Sequence, residues 1–197
     1  MNDPKPIRIV TITGSVRPGN NTNKALAIVQ RELASREDIS VDEVNPAAMT
    51  LSLPGLASTP DAVQLRERVQ AATGVIFATP EYHGSFSSIT KLVIENLGFP
   101  SVLAGKPVAL LGVAAGQIGA IKSLESLASI CLHVGAIVLP GPVSIANVLS
   151  VFDAEGNCLD ATVEKRLSGL AAGMAEYIHG NICPRHTLEA MVRERAA

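Results

Sequence analysis

The sequence has no tryptophan and few other aromatic residues, which make up 3% of its 197 residues. It also lacks a strong charge of either sign, because sixteen basic residues stand against eighteen acidic ones and leave a net charge of -2. A chain this close to neutral has no electrostatic signature for nucleic acid or for an anionic membrane. We therefore expect neither nucleic acid nor a membrane surface as a partner.

Long hydrophobic runs and cysteine clusters are missing as well. No apolar run reaches the roughly 18 residues that a helix needs to cross a bilayer, and the short run from Ile7 does not form a secretory pattern. The three cysteines, Cys131, Cys158 and Cys183, are too few and too widely spaced for a disulfide framework or a metal cluster. These absences predict a cytoplasmic protein with reduced thiols and no metal site. Cys131, within an apolar helical stretch, is predicted to be a small core residue.

Apolar residues are plentiful, at 47% of the chain, and they alternate between strand and helix patterns. A chain of this length and composition predicts one domain with a substantial core. Predicted strands span residues 7–13, 39–44, 74–80, 106–114 and 135–140. Predicted helices span about 22–36, 61–72, 87–97, 120–133 and 160–179. The polar tail at 181–197 is predicted to be an arm outside the domain at 1–180.

Alternation of strands and helices, with mostly apolar interior strands, predicts a parallel sheet with helices on both faces. Ligands in such α/β folds bind beyond the carboxyl ends of the strands, where the strand order reverses. The loops after the first, third and fourth predicted strands are therefore the candidates for a site. They are also the three most unusual loops in the sequence.

The loop after the first strand reads TGSVRPGNNTNKAL and has the chemistry of a phosphate site. Gly14 and Gly19 allow tight turns, Arg17 supplies a fixed positive charge, and a helix with free N–H groups begins within a few residues. A plain glycine-rich turn with Asn or Thr helix caps is the alternative. Asn20 and Asn21 replace the Lys-Ser/Thr pair of a P-loop, so the pattern favours a single terminal phosphate held without metal.

The loop after the third strand, TPEYHGSFSSITK, ends an apolar run in polar and small residues. Pro80 is predicted to stop the strand, Gly84 to bend the chain, and Ser87 or Ser88 to cap the next helix. His83 is either a proton donor or a plain loop residue. The sequence predicts that backbone N–H groups of this loop meet the polar edge of a flat ligand.

The remaining features are an acid, a tyrosine and the glycines of the loop after the fourth strand. Glu81 is predicted to be a solvated or capping acid, and Tyr82 to pack beside a ring. Gly112, Gly116 and Gly119 allow the main chain to approach a flat ligand closely. Glycines at an ordinary strand-to-helix turn are the equally weighted alternative.

Two of these motifs resemble those of the NADPH-dependent FMN reductase family, which has the flavodoxin-like fold. GSVRPGNNTNKAL is similar to the family's G-S-x-R phosphate loop, and PEYHGSFSSITKLVIENL is similar to its P-E-Y-N-G-S-type flavin loop. The resemblance extends from the first strand to the last helix. His83 stands where the family usually has Asn, Ser87 and Ser88 replace a common Pro-Gly, and Asn96 stands where an aromatic residue is frequent.

The resemblance implies a three-layer sandwich with a five-stranded parallel sheet in the order 2-1-3-4-5, and FMN as the cofactor. The residues implied for the FMN phosphate are Ser15, Arg17, Asn20, Thr22 and Asn23. The residues implied for the isoalloxazine are Pro80, Glu81, Tyr82, His83, Gly84, Ser85, Ala115, Gly116, Gln117 and Gly119.

The implied activity is that of an oxidoreductase in which NAD(P)H reduces FMN and a small-molecule acceptor then reoxidises it by a ping-pong route. Candidate acceptors are quinones, azo compounds, free flavin and metal oxyanions. FMN carries the chemistry, so no catalytic acid or base is named. The family also implies a homodimer or homotetramer, with the tail at 181–197 as a candidate oligomerisation arm. A flavodoxin-like electron carrier and a non-enzymatic FMN-binding regulator are the alternatives, and the low charge and lack of tryptophan disfavour the carrier.

Overall fold

The computed structural model describes residues 7–196, so residues 1–6 of the predicted domain and residue 197 of the predicted tail lie outside it. The strands are β1 (Ile7–Thr13), β2 (Ile39–Val44), β3 (Gly74–Tyr82), β4 (Ser85–Phe86), β5 (Pro107–Val113), β6 (Ile137–Val138) and β7 (Val143–Ile145). The helices are α1 (Asn21–Ala34), α2 (Pro60–Ala71), α3 (Ser88–Glu95), α4 (Ile121–His133), α5 (Ala161–Tyr177) and α6 (Cys183–Ala196).

The main sheet is parallel and runs in the order β2-β1-β3-β5-β6, which confirms the predicted flavodoxin-like order. The seven strands of the described residues exceed the predicted five because the hairpin adds the short antiparallel strand β4 and because the last strand is split. β6 pairs with the start of β5 and β7 pairs with its end, along the same edge. Pro140 and Pro142 flank Gly141 between the two segments, and proline cannot donate to a ladder. The predicted strand at 135–140 is therefore wrong beyond Val138, and pairing resumes at Val143.

Both faces of the sheet are buried, as the apolar strands predicted. Along β3, Ile76 and Ala78 pack in the core beneath α1 and α5, whereas Val75 and Phe77 pack in the core beneath α2, α3 and α4. Alternation of side chains across the sheet produces this division. Cys131 lies fully buried in the second core, and burial raises the pKa of its thiol to about 12. Its predicted role as a core residue is thereby confirmed.

Two boundaries differ from the prediction at the ends of elements. Pro80 does not stop the third strand, because it pairs with Val113 within β3, which continues to Tyr82. Helical structure also continues beyond the predicted helix end at residue 179, since a π-helical turn at Ile178–Ile182 leads from α5 into α6 within the predicted tail. Within residues 7–196, no helix combines the length and the apolar character that crossing a membrane requires.

Candidate functional site

The three candidate loops lie side by side at the carboxyl edge of the sheet. β3 is flanked by β1 and β5, and the ends of the strands are aligned, with Thr13 opposite Ala78 and Pro80 opposite Val113. We call residues 14–20 the first loop, residues 79–87 the hairpin and residues 114–120 the third loop. The first loop is tied to β3 at its start, where the Gly14 N–H donates to the Ala78 carbonyl at 2.6 Å. The sheet order therefore gathers the predicted site residues at one edge.

The first loop is held in shape by two asparagines. The Asn20 side chain caps α1, with its oxygen accepting from the Asn23 N–H at 2.8 Å and its NH₂ donating to the Arg17 carbonyl at 2.6 Å. The Asn23 oxygen in turn accepts from the Thr13 hydroxyl. Both polar atoms of the Asn20 side chain are used within the loop, whereas Asn23 keeps its NH₂ group as a donor.

Several donors around the start of α1 have no partner among the described residues. The Ser15 and Thr22 side chains are 3% and 1% exposed, yet neither hydroxyl makes a hydrogen bond within residues 7–196. The N–H groups of Asn21 and Thr22 are likewise unpaired there, because the cap serves only Asn23. A helix N-terminus with unpaired N–H groups attracts negative charge. This donor set, with Arg17 beside it, fits a phosphate group.

The hairpin is a two-residue turn between β3 and β4. Tyr82 pairs with Ser85, and the two central residues, His83 and Gly84, have φ angles of 53° and 77°. Two positive φ values in succession are typical of a type I′ turn, for which Asn-Gly is the preferred sequence. His83 occupies the asparagine position of that turn, as a plain loop residue would, and its alternative role as a proton donor stays a prediction. Glu81 accepts from the Gly84 N–H and so closes the turn, in agreement with its predicted capping role.

A cluster of hydroxyl groups beneath the hairpin was missed by the sequence analysis. Thr79 Oγ1 accepts from the Ser87 N–H at 3.1 Å and from the Thr90 hydroxyl at 3.2 Å, while Ser87 Oγ donates to the Gly14 carbonyl at 2.6 Å. Ser87 also caps α3 through the Thr90 N–H. A Cβ atom on Gly14 would lie 2.1 Å from Thr90 Oγ1. These hydroxyls fasten the first loop, the hairpin and α3 together, which explains much of the serine and threonine content of the motif.

The third loop is supported from its inner side by β7 and the turn after it. Gly119 has a φ of 73°, and a Cβ there would lie 2.5 Å from Ser144 Oγ. Ser144 Oγ accepts from the Ala120 N–H at 2.8 Å, and the Asn147 N–H donates to the Gly116 carbonyl at 3.1 Å. The outer side of the loop exposes Ala115, Gly116 and Gln117 together with Ile118, which is 82% exposed. No local sequence signal identifies Ser144 as a supporting residue, because its position depends on the split of the last strand.

An aromatic contact connects the first loop to the hairpin. The guanidinium carbon of Arg17 lies 5.1 Å from the centre of the Tyr82 ring, which is within range of a cation–π interaction. Tyr82 was predicted to lie beside a ligand ring, and here it lies beneath a cation. The two loops predicted to hold different parts of one ligand are therefore in contact through their side chains.

Two further observations concern metals and cavities. Among the described residues, no group of three or more His, Cys, Asp or Glu side chains could hold a metal ion. A cavity of about 490 Å³ lies between α5 and residues 139–143, with Arg166 and Tyr177 among mostly apolar wall residues. None of its wall residues comes from the three loops. The candidate site is thus identified by its converging hydrogen-bond donors and its glycine-rich backbone. The cavity beside α5 is a separate feature.

The comparisons with known proteins agree with the fold and the motifs. The family model described as NADPH-dependent FMN reductase matches residues 7–149. An NAD(P)H-dependent FMN reductase of Pseudomonas aeruginosa is 28% identical over 158 residues, which cover 78% of this chain and 85% of the relative. A quinone reductase of Escherichia coli K12 is 28% identical over 186 residues, which cover 87% of this chain and 95% of the relative.

Among solved structures, FerB of Paracoccus denitrificans, described as a flavoenzyme NAD(P)H:(acceptor) oxidoreductase, has a TM-score of 0.76 at 21% identity. The match covers 88% of this chain and 98% of FerB, and at that identity it supports the fold alone. The family model, by contrast, spans most of the chain, including the first loop, the hairpin and the third loop. The chain therefore belongs to the NADPH-dependent FMN reductase family, and it is an FMN-dependent oxidoreductase that uses NAD(P)H.

Proposed function

We propose that this oxidoreductase binds FMN across the three loops and passes electrons from NAD(P)H to a quinone. The observation that carries the proposal is the set of unpaired donors at the start of α1, beside Arg17 and next to the hairpin. FMN, when bound, supplies the redox chemistry by accepting a hydride from NAD(P)H and passing two electrons to the acceptor. The chain's own residues supply binding and orientation.

The phosphate subsite is assigned to the first loop and the start of α1. The hydroxyls of Ser15 and Thr22, the NH₂ group of Asn23 and the two unpaired N–H groups of α1 are the neutral donors. Arg17 adds a cation, which makes a phosphate hydrogen bond shorter and stronger than a neutral one. Asn20 contributes by holding the loop, because both polar atoms of its side chain are already bonded.

The ring subsite is assigned to the hairpin and the third loop. Residues 80–85 present strand-end and turn backbone to one edge of the isoalloxazine, and residues 115–119 present glycine-rich backbone to the neighbouring part. Gly84, Ser85 and Ala115 are small, so one face of the ring is left uncovered by these residues. A ring with one open face can meet only one partner there at a time.

That open face determines the proposed order of the reaction. NAD(P)H binds against it, leaves oxidised, and the acceptor then takes the same place. A quinone is favoured as the acceptor because the Escherichia coli relative is a quinone reductase; azo compounds, free flavin and metal oxyanions are the other acceptors to assay. No side chain of the chain is assigned as an acid or a base.

Kinetics with the FMN-loaded protein test this proposal. Anaerobic mixing with NAD(P)H alone should bleach the flavin absorbance completely, and varied NAD(P)H and quinone should give parallel double-reciprocal lines. Intersecting lines would indicate that both substrates bind together and would refute the shared face. If neither nicotinamide bleaches the flavin, the NAD(P)H-dependent reaction is refuted and the electron carrier or the regulator takes its place.

We also propose a cytoplasmic homo-oligomer with α6 as a contact between subunits. Leu188 and Val192, one turn apart on α6, are 63% and 66% exposed, and an amphipathic helix stabilises itself by covering such a pair. The three cysteines are free, which agrees with a reducing compartment. Light scattering should give a dimer or tetramer, and changing Leu188 and Val192 together to Gln should reduce its mass. The same change at Leu149, 75% exposed elsewhere, is the matched control.

A further inference from the structure

The contact between Arg17 and Tyr82 assigns a role to the tyrosine that differs from contact with the flavin. We infer that Tyr82 is a positioning residue, whose ring holds the Arg17 guanidinium in place for the FMN phosphate. The inference depends on the proposed phosphate subsite. It adds Tyr82 as the residue that orients Arg17, which is the one cationic side chain of the first loop.

The geometry of β3 places Tyr82 above the first loop. Side chains alternate along a strand, so Tyr82 shares the side of the sheet on which Ile76 and Ala78 pack with α1. The hairpin turn fixes this end of the strand, because Tyr82 pairs with Ser85 and Glu81 bonds to the Gly84 N–H. The Tyr82 residue, although 37% exposed, is therefore held on a hairpin whose backbone is fixed by hydrogen bonds.

Arg17 has little else to hold it. It is exposed, and its guanidinium forms no ion pair with a carboxylate in the described part of the chain. A free arginine side chain loses much rotamer entropy when a ligand fixes it. With its carbon 5.1 Å from the ring centre, Arg17 is already restricted by Tyr82 before a ligand arrives.

The way in which the two side chains meet leaves Arg17 able to bind an anion. A cation over an aromatic face is attracted by the π electrons, whereas the five N–H donors of a guanidinium lie in its own plane. Because the ring is not a carboxylate, this contact does not pair the guanidinium with an anion, and no carboxylate of the described residues occupies its donors. This is the physical difference from a carboxylate partner, which would occupy the same donors and compete with the phosphate.

The test compares FMN with riboflavin, which lacks the phosphate, in three variants of Tyr82. Tyr82→Leu keeps an apolar side chain but removes the ring, and it should weaken FMN binding about two- to fivefold with little change for riboflavin. Tyr82→Phe keeps the ring and should bind both flavins like the natural protein. Tyr82→Leu in an Arg17→Ala background should cause no further loss of FMN preference, because the cation is gone.

A spectroscopic readout without any flavin checks the contact itself. In the free protein the Arg17 Nε–H proton should show a ring-current shift by NMR, and that shift should persist in Tyr82→Phe and disappear in Tyr82→Leu. Circular dichroism of each variant checks that the fold is retained. A structural role of Tyr82 in the hairpin alone would not produce this pattern of shift and flavin preference.

The outcomes separate the inference from the subsite on which it depends. If Arg17→Ala weakens FMN and riboflavin equally, the phosphate subsite is wrong and the role of Tyr82 falls with it. If Arg17→Ala is specific for FMN but Tyr82→Leu weakens both flavins, or neither, only the positioning role is overturned. If Tyr82→Leu weakens the binding of FMN and riboflavin equally, and does so in the Arg17→Ala background as well, Tyr82 contacts the flavin ring instead.

Discussion

The first loop and the hairpin are neighbours at one edge of the sheet, but they use their polar groups in opposite ways. In the first loop and at the start of α1, the hydroxyls of Ser15 and Thr22 have no hydrogen bond among the described residues. In the hairpin, Glu81 closes the turn and Thr79 and Ser87 join it to α3 and to the first loop. The start of α1 keeps donors unpaired, whereas Thr79, Glu81 and Ser87 of the hairpin use their side chains for bonds within the protein; Tyr82, His83 and Ser85 make no side-chain hydrogen bond among the described residues.

This difference indicates that the first loop recognises the ligand, whereas the hairpin supports the shape of the site. An anion that binds at the start of α1 gains hydrogen bonds from donors that the protein leaves unpaired. The hairpin offers mainly shape, because its backbone is fixed by a turn with two positive φ values. Changes to the phosphate donors of the first loop, or to Tyr82 through its contact with Arg17, should therefore discriminate between flavins with and without phosphate, whereas changes to the turn itself at Glu81 and Gly84 should not.

The largest effect is expected where the two elements touch, at Gly14. In Gly14→Ala the new Cβ would lie 2.1 Å from Thr90 Oγ1 and 3.0 Å from the Ala78 carbonyl oxygen. One of these atoms must move, and forced packing of this kind costs on the order of 1–3 kcal/mol. We expect a lower free energy of unfolding in urea and a loss of both FMN and riboflavin binding.

Two matched variants sharpen that experiment. Thr90→Ala combined with Gly14→Ala removes the closest atom and should restore part of the stability. Gly116→Ala places a Cβ where no atom lies within 4 Å, and it should unfold like the natural protein. If Gly14→Ala is as stable as Gly116→Ala, the first loop is not fastened to α3 as described.

The hairpin turn provides the next largest effect, through Gly84→Val. Gly84 has a φ of 77°, where an L residue costs about 1–2 kcal/mol and a β-branched one more. The turn should distort and lose FMN and riboflavin alike, while far-UV circular dichroism stays unchanged because the turn lies at the surface. His83→Asn is the control, since Asn tolerates the φ of 53° at that position. Normal FMN affinity in Gly84→Val would exclude the hairpin from the ring subsite.

The sequence predicted the architecture well because its signals are local. Apolar runs and helix caps located the strands of the main sheet and helices α1 to α5 but not α6, and the alternation of strand and helix gave the sheet order through the family resemblance. The split of the last strand was missed, although Pro140 and Pro142 are visible in the sequence. A proline in a strand-like run indicates a break, but only the pairing of Val143 with Leu111 shows that the strand resumes on the same edge.

The details of the site depended on contacts that are distant in sequence. Ser87 and Gly14 are 73 residues apart, and Ser144 reaches the third loop from a neighbouring strand segment. A serine next to a glycine-rich loop gives the same sequence signal whether its hydroxyl meets a ligand or another loop. The sequence predicted Ser87 or Ser88 as a helix cap, and Ser87 is that cap, but it gave no sign of the bonds by which Thr79, Ser87 and Thr90 join the loops. The roles assigned to the other site residues stay predictions.

A smaller and more selective effect is expected from Arg17→Ala. A charge-assisted hydrogen bond to phosphate contributes about 1.5–3 kcal/mol, so FMN should bind roughly tenfold more weakly or worse, while riboflavin binding changes little. Fluorescence titration of the apoprotein with both flavins measures the ratio directly. Asn20→Ala makes an informative comparison, because losing the cap should destabilise α1 as well as weaken FMN. If Arg17→Ala weakened the binding of FMN and riboflavin equally, the first loop would not be the element that recognises the phosphate, and the proposed difference from the hairpin would be refuted.

The smallest effect concerns Glu81, whose bond to the Gly84 N–H is the one that closes the hairpin turn. Glu81→Ala removes the acceptor, and an exposed hydrogen bond of this kind should change the opening equilibrium of the turn by about two- to tenfold. Hydrogen exchange of the Gly84 amide should accelerate accordingly, with a similar loss for FMN and riboflavin because the phosphate is not involved. Glu81→Gln keeps an acceptor oxygen at the same distance along the side chain and should retain most of the protection. If Glu81→Ala leaves the exchange rate of the Gly84 amide unchanged, the bond from Glu81 does not stabilise the hairpin. The hydrogen bonds among the hydroxyls of Thr79, Ser87 and Thr90 would then be sufficient to fix it.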